Sequence, residues 1–180
     1  MIEIRIHGRG GQGNVAAAEL LSIAAFHDGK FAQAFPSFGA ERVGAPVQAF
    51  VRIDDKKIRT REDVLHPDYI IVQDYSLVEN VPVLDGLKPD GLLLVNSDKS
   101  PEELKLKTTA TVETIPATEI AIEIIGRPIP NAIMIGAFCS ITGLVSLEAV
   151  QEAIMARFPG IVGENNVAAL ERAHEIMQKR

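Results

Sequence analysis

Cysteine is almost missing from this chain of 180 residues, in which Cys139 is the only one. A single cysteine cannot form a disulfide within the chain, and it cannot supply the four thiolates of an iron–sulfur cluster or a structural zinc site. Tryptophan is absent as well, and aromatic residues make up only 5% of the sequence. We therefore expect a core of aliphatic side chains and no metal centre built from this chain's own residues.

The sequence also lacks a run of basic residues and a long apolar segment. The formal net charge is -6, and no cluster of Lys and Arg is long enough to follow a phosphate backbone. No uninterrupted apolar stretch approaches the roughly 20 residues of a membrane-spanning helix. Met1 to Ile6 mix charged with apolar side chains, unlike a signal peptide. We expect a cytoplasmic protein with no nucleic-acid and no membrane partner.

The order of apolar patterns predicts an α/β domain. Residues 2–6 alternate apolar and charged side chains like a strand, and residues 14–26 form an alanine-rich helix. The continuous apolar runs at residues 69–72 and 92–95 are typical of parallel strands that are covered on both faces. Because 47% of the residues are hydrophobic and no linker or repeat is found, we expect one domain over residues 1–180.

Two regions depart from a plain alternation of strands and helices. Residues 30–35 and 47–53 are predicted strands, and a turn after the second leads residues 57–59 back as one arm of an antiparallel ribbon. The C-terminal third is helical, with predicted helices at residues 119–125, at 132–142 after a cap at Asn131, at 147–158 after a cap at Ser146, and from Asn165 or Asn166 onward. The predicted fold is a three-layer α/β domain with a mainly parallel sheet, an inserted antiparallel ribbon and a helical C-terminal third.

The clearest local motif, Gly8-x-Gly10-x-x-Gly13, lies between the first predicted strand and the first predicted helix. Glycines at these spacings allow a tight turn, and they leave backbone N–H groups free to hold an anion at the start of a helix. Arg9 and Gln12 would add a fixed charge and an amide at the rim. The candidate cofactor-binding residues, which would contact a phosphate-bearing cofactor or else only a partner chain, are Gly8, Arg9, Gly10, Gly11, Gln12 and Gly13.

Two other interpretations of the glycine motif stay open. A dinucleotide site also needs an acid at the end of the second strand to bind a ribose, and that strand ends at Phe35 and Pro36 instead. In the third interpretation the glycines serve only a tight connection from strand to helix, and no ligand binds.

A second motif lies between Phe35 and Val47 and combines phenylalanines, two prolines and a Glu-Arg pair. Aromatic and arginine side chains on a proline-stiffened loop are typical of a protein interface, because such residues lose little entropy on docking. The candidate interface residues are Phe35, Phe38, Glu41 and Arg42. The alternative is that the phenylalanines cover the open edge of the sheet within this chain.

No catalytic or metal-binding set is recognisable. Asp74 and Asp98 follow predicted strands, where α/β sheets bind ligands, but acids at such positions usually cap turns. His7 is the only histidine next to a motif, and Cys139 lies on an apolar predicted helix, which favours a place in the core. The sequence contains no Gly-x-Ser-x-Gly, His-x-x-x-His or Gly-x-x-x-x-Gly-Lys pattern. We expect no catalytic residue and no metal ligand in this chain.

Taken together, the two motifs carry a family resemblance. His-Gly-Arg-Gly-Gly-Gln-Gly at residues 7–13, followed by Glu-Arg-x-Gly-Ala-Pro-Val-x-Ala-Phe-x-Arg-Ile at residues 41–53, resembles the gamma subunit of the pyruvate/2-oxoacid:ferredoxin oxidoreductase family. The resemblance covers essentially the full chain, and the pair of motifs at this separation is far more specific than the glycine pattern alone. The Glu-Arg-x-Gly-Ala-Pro form is similar to pyruvate-type members, while other 2-oxoacids stay open.

The resemblance implies a subunit of an enzyme that converts a 2-oxoacid and CoA to acyl-CoA and CO2 and reduces ferredoxin. It implies partner subunits alpha, beta and delta, which carry thiamine diphosphate and the 4Fe-4S clusters. It also implies that the gamma chain is a Rossmann-like domain that supports assembly near the place where CoA approaches. The isolated chain is then inactive and able to self-associate through its uncovered interface. The alternatives are an independent NAD-binding oxidoreductase and a scaffold subunit that binds no ligand.

Overall fold

The computed structural model describes residues 1–37 and 42–180. Within these residues the strands are β1 (Ile2–Arg9), β2 (Phe31–Pro36), β3 (Pro46–Asp54), β4 (Tyr69–Val72), β5 (Leu92–Asn96) and β6 (Thr111–Ile115). The helices are α1 (Asn14–His27), α2 (Ser76–Asn80), α3 (Ala117–Ile125), α4 (Asn131–Thr142), α5 (Leu147–Arg157) and α6 (Ile161–Gln178). No helix of the described residues has the length and apolarity that crossing a bilayer requires.

The six strands form one mixed sheet in the order β2-β3-β1-β4-β5-β6. The strands β1, β4, β5 and β6 are parallel, whereas β3 is antiparallel to both β1 and β2. The predicted α/β fold with a mainly parallel sheet is therefore confirmed.

The antiparallel ribbon contains a different strand from the one predicted. Residues 57–59 form no strand, and the partner of β3 is β2, with Phe35 opposite Phe50. The reason is that β1 and β2 occupy both edges of β3, so no hydrogen-bonding edge is left for the residues that follow it.

One face of the sheet is covered by helices. The side chains of Ile4 and Ile6 in β1 point into a large apolar cluster with residues of α1, α3, α4, α5 and α6. Helix α4 is apolar nearly all round because it is enclosed, and Phe138 at its centre is fully buried. A Cβ atom on Gly136 would stand 2.3 Å from the carbonyl oxygen of Leu170, so glycine allows α4 and α6 to approach closely.

The opposite face is covered by the short helix α2 and by connecting segments. Its apolar cluster is small and consists of Ile70, Val72, Leu77, Val83, Leu93, Val95 and Leu104. Because β4 and β5 contribute side chains to the clusters on both faces, they are buried throughout their centres, as their continuous apolar runs predict.

Helix starts were the least accurate part of the prediction. Ser146 accepts a hydrogen bond from the N–H of Ala149 at 3.2 Å and caps α5 as predicted. Helix α6, in contrast, begins at Ile161 and not at Asn165 or Asn166. The left-handed φ of 77° at Gly160 lets the chain turn directly into the helix, one turn before the asparagines.

Candidate functional site

The glycine motif forms the loop that joins β1 to α1. Gly11 and Gly13 have φ angles of 92° and 77°, which other residues rarely adopt. Helix α1 has no side-chain cap at its start. In the described part of the chain, no group accepts a hydrogen bond from the backbone N–H of Gly11, Gly13, Asn14, Val15 or Ala16. This loop is therefore a cluster of free donors at the positive end of a helix, which suits an anion.

The two side chains of the loop bind Asp74, which follows β4. The Arg9 guanidinium lies 3.2 Å from the Asp74 carboxylate, and Gln12 Nε2 donates to the same oxygen at 3.0 Å. The other carboxylate oxygen accepts from the hydroxyl of Ser76 at 2.6 Å. Burial alone would raise the pKa of Asp74, but the hydrogen bonds from Ser76 and Gln12 and the Arg9 charge lower it below its usual value. Arg9 and Gln12 thus position the loop and are not free at its rim.

The glycine motif and the second sequence motif lie against each other. The N–H of Gly10 donates to Ala45 O at 2.9 Å, and the N–H of Gly44 donates to Gly10 O at 3.1 Å. A guanidinium nitrogen of Arg9 donates to Gly44 O at 2.9 Å. A Cβ atom on Gly10 would stand 2.3 Å from the carbonyl oxygen of Arg42, so the contact requires glycine. Residues 9–10 of the first motif and residues 42–45 of the second therefore form one structural unit.

A cleft of about 660 Å³ opens beside this loop, at the carboxyl ends of β4, β5 and β6. This is the edge at which α/β sheets bind ligands. Its lining residues are Gln12, Gln73, Asp74, Tyr75, Asn96, Ser97, Asp98, Pro116, Thr118, Glu119, Pro128 and Pro130. Three of them are carboxylates and none is Lys or Arg, so the cleft itself favours hydrogen-bond donors over anions.

A network of amides supports the floor of the cleft. Gln73 donates to Asn14 Oδ1 at 2.9 Å, and Asn96 donates to Gln73 O and to Thr118 Oγ1, each at 2.8 Å. Sequence analysis missed these residues, although Gln73 and Asn96 stand at strand ends like the two aspartates that were considered. Their positions at the ends of parallel strands could have identified Gln73 and Asn96, because α/β sheets bind ligands at that edge.

The dinucleotide interpretation expects an acid at the end of β2, but β2 is not the strand that lies parallel to β1. The parallel neighbour of β1 is β4, because β3 and β2 lie on the other side of β1. The acid at the end of that neighbouring strand is Asp74. One of its oxygens already contacts Gln12 and Arg9, and the other accepts from both the N–H and the hydroxyl of Ser76, so the carboxylate has no acceptor position left for a ribose.

The histidine and the cysteine lie in the protein interior. His7 is 2% exposed, and its Nε2 accepts a hydrogen bond from Arg5 Nε at 3.0 Å. Burial, followed by the charge of Arg5, lowers the pKa of His7 to about 3. Burial also raises the pKa of the Cys139 thiol to about 12. In the described residues no three His, Cys, Asp or Glu side chains are grouped closely enough to hold a metal ion.

The candidate interface residues are only partly described. Phe35 is half-buried on the edge strand β2, where its ring packs against Phe50 with centroids 5.2 Å apart, and the Arg52 guanidinium lies 5.4 Å from the ring centre. Arg42 is exposed beside the glycine loop. Phe38 and Glu41 lie outside the described residues. Phe35 therefore covers part of the open sheet face within this chain, while Arg42 is accessible to a partner.

Comparison with known proteins places these features in a family. A family model described as pyruvate ferredoxin/flavodoxin oxidoreductase matches residues 3–176. The chain is 54% identical over 180 residues to pyruvate synthase subunit PorC of Methanocaldococcus jannaschii, covering 100% of this chain and 99% of the relative. It is 53% identical to the pyruvate/ketoisovalerate oxidoreductases common subunit gamma of Thermococcus kodakarensis, covering 96% and 95%.

A solved structure agrees with these matches. The crystal structure of the pyruvate oxidoreductase subunit PORC from Thermotoga maritima is 42% identical to this chain and aligns with a TM-score of 0.86. The alignment covers 97% of this chain and 95% of the other.

Proposed function

This chain belongs to the pyruvate ferredoxin/flavodoxin oxidoreductase family and is a gamma subunit of a 2-oxoacid:ferredoxin oxidoreductase, and on that basis we propose that its glycine loop binds a phosphate of CoA. The observation that carries the proposal is the set of free N–H groups at the start of α1, next to a cleft at the carboxyl ends of the parallel strands. CoA is an anionic substrate of a size that such a site can hold in part.

Pyruvate is the proposed 2-oxoacid. Support comes from the names of the relatives, which include pyruvate synthase in one organism and an enzyme for pyruvate and ketoisovalerate in another. A gamma subunit named as common to two oxidoreductases implies that another chain selects the 2-oxoacid. We assign the same division of labour to this chain, whose own residues offer no catalytic set.

The redox centres of the proposed complex belong to other subunits. One cysteine cannot ligate a 4Fe-4S cluster, and Cys139 is buried with a raised pKa, so it does not suit metal binding. Thiamine diphosphate and the 4Fe-4S clusters are accordingly assigned to alpha, beta and delta partners. The gamma chain then contributes assembly and the placement of CoA.

Titration of the full chain with CoA tests the CoA site. We expect saturable binding that shifts the backbone amide resonances of residues 11–16, and no comparable shift with NAD, because Asp74 is already engaged. Ala16→Asp places a carboxylate in the first turn of α1 and is expected to weaken CoA binding about 10-fold or more through charge repulsion. Ala16→Asn, which has the same size without the charge, is the matched control. Unchanged binding in the Asp variant would contradict the proposal.

Reconstitution with the other subunits tests the interface. Arg42→Ala is expected to weaken assembly of the complex about 10-fold or more, because exposed arginines at interface centres are frequent energetic anchors. Its thermal unfolding should change little, since Arg42 is exposed. Arg172→Ala on α6 is the control with the same change at another exposed site. Equal losses of assembly and of stability in the Arg42 variant would count against an interface.

A further inference from the structure

The starts of α1 and α4 lie side by side, and Asn131 is the residue between them. Asn131 is the first residue of α4 and is 6% exposed. Its Nδ2 lies 2.8 Å from the position that a Cβ atom on Gly13 would occupy, so the amide points at the residue from which α1 begins. Its Oδ1 accepts from the N–H of Ala132 at 2.8 Å. No described residue accepts a hydrogen bond from Nδ2.

An amide donor without an acceptor, in a residue that lines a cavity, is open to a ligand. The backbone N–H groups of the adjoining first turn of α1 are unpaired as well. Side-chain and backbone donors thus lie close together at the start of α1, and no described residue accepts a hydrogen bond from them. A bound anion would satisfy both sets.

The surrounding charges also distinguish two cavities. The large cleft, which Gln12 of the glycine loop lines, carries Asp74, Asp98 and Glu119. Asn131 lines a second cavity of about 380 Å³ that contains no carboxylate. Its lining includes the cation Arg127 and the amides of Asn131, Asn165 and Asn166, with apolar side chains around them. Asp74 is paired with Arg9, but Asp98 and Glu119 lie in the cleft with no cation in its lining, so an anion at the loop is less favoured on the cleft side than beside Asn131.

We propose that Asn131 is an anion-binding residue, whose Nδ2 donates to an oxygen of the phosphate that the first turn of α1 holds. The anion then sits at the junction of α1 and α4 and not in the acidic cleft. This inference rests on the proposed binding of CoA at the glycine loop and adds the residue and the position. It also explains why Gly13 has no side chain, because a Cβ atom there would contact the amide and displace the donor.

Asn131→Asp tests the role of the amide with little disturbance of the fold. The aspartate keeps an oxygen for the N–H of Ala132 and suits the start of a helix, but it replaces the donor with a negative charge. We expect this variant to unfold at a temperature close to that of the parent chain and to bind CoA at least about 10-fold more weakly, as loss of a charge-assisted hydrogen bond implies. Asn165→Asp makes the same charge change in the neighbouring cavity and is the control.

Both inorganic pyrophosphate and CoA serve as probes of the full chain, with the side-chain amide resonance of Asn131 as a direct reporter. A shift of that resonance with either probe, together with selective weakening in Asn131→Asp, supports the inference. If CoA shifts the backbone amides of residues 11–16 but leaves the Asn131 resonance and the affinity of Asn131→Asp unchanged, the inference is wrong while the CoA site stands. Pyrophosphate binding without CoA binding would keep the anion site and overturn the proposed function. Equal weakening by Asn165→Asp, or no shift with either probe, would refute the role of Asn131.

Discussion

The two faces of the sheet are stabilised in different ways. On the helical face, aliphatic side chains of β1 and β3 pack against α1 and α4 in one large cluster. On the opposite face, the same strands bury Arg5, His7 and Arg52. Arg5 donates there to the carbonyl oxygens of Val64, Val83 and Asp85, and so connects β1 to two irregular segments.

This difference shows where a sequence pattern carries structural information. A helix can be anchored by apolar side chains at regular spacing, which is visible in the sequence. An irregular segment has no such period, and its carbonyl groups need donors when they are buried. A buried arginine can supply several donors to separate segments at once. At β1 and β3, the face without long helices is therefore held by a few polar side chains, beside the small apolar cluster at β4 and β5.

The largest expected effect is on the helical face. Phe138→Ala removes a fully buried ring that packs edge-on against Tyr69, with centroids 5.5 Å apart. We expect the free energy of unfolding to fall by about 3–5 kcal/mol, measured by denaturant unfolding. Phe138→Leu keeps most of the volume and should lose considerably less. A loss below about 1 kcal/mol for the alanine variant would show that this core collapses around the cavity.

A smaller effect is expected on the opposite face. Arg5→Met removes the donors for three backbone carbonyls and should lower the free energy of unfolding by about 2 kcal/mol, since relief of the buried charge offsets part of the loss. Arg5→Lys keeps the charge but cannot reach two segments at once, so it should be destabilised to a similar degree. If the lysine variant is as stable as the parent chain, the positive charge at residue 5 stabilises the fold and the several donors of the guanidinium do not.

The smallest expected change in the free energy of unfolding at neutral pH comes from His7, and it is recognised by its dependence on pH. Because its pKa is about 3 when folded and about 6.5 when unfolded, unfolding takes up a proton in that interval. The free energy of unfolding of the parent chain should therefore decrease by up to about 1.4 kcal/mol for each pH unit from 6.5 downward. His7→Gln keeps an acceptor for Arg5 and should remove this contribution. Identical pH profiles for the two chains would show that His7 is not buried in its neutral form.

The sequence pattern predicted the elements with a regular period and failed where distant residues meet. The strand runs at residues 69–72 and 92–95 and the apolar helix α4 follow directly from their side chains. The order of β2, β3 and β1 in the sheet does not follow from the sequence pattern, because a strand can pair along either edge of β3 until the whole sheet is assembled.

At the site, the glycine loop was predictable and its supports were not. The spacing of the glycines identifies the loop in the sequence. Asp74, in contrast, lies more than sixty positions from Arg9 in the chain, and the two side chains meet only in the folded state. The same holds for Asn131, which the sequence predicts as the cap of α4 but which is the first residue of that helix, with Pro130 at the cap position. Its free amide toward Gly13 depends on the packing of α4 beside α1.

The hydrogen bonds between Gly10 and residues 44–45 have a mechanical consequence. Arg42 lies next to these residues, so a displacement of Arg42 reaches the turn that precedes α1 through two backbone hydrogen bonds. An insertion of even one residue between Arg42 and Pro46 would break this linkage and misdirect the turn.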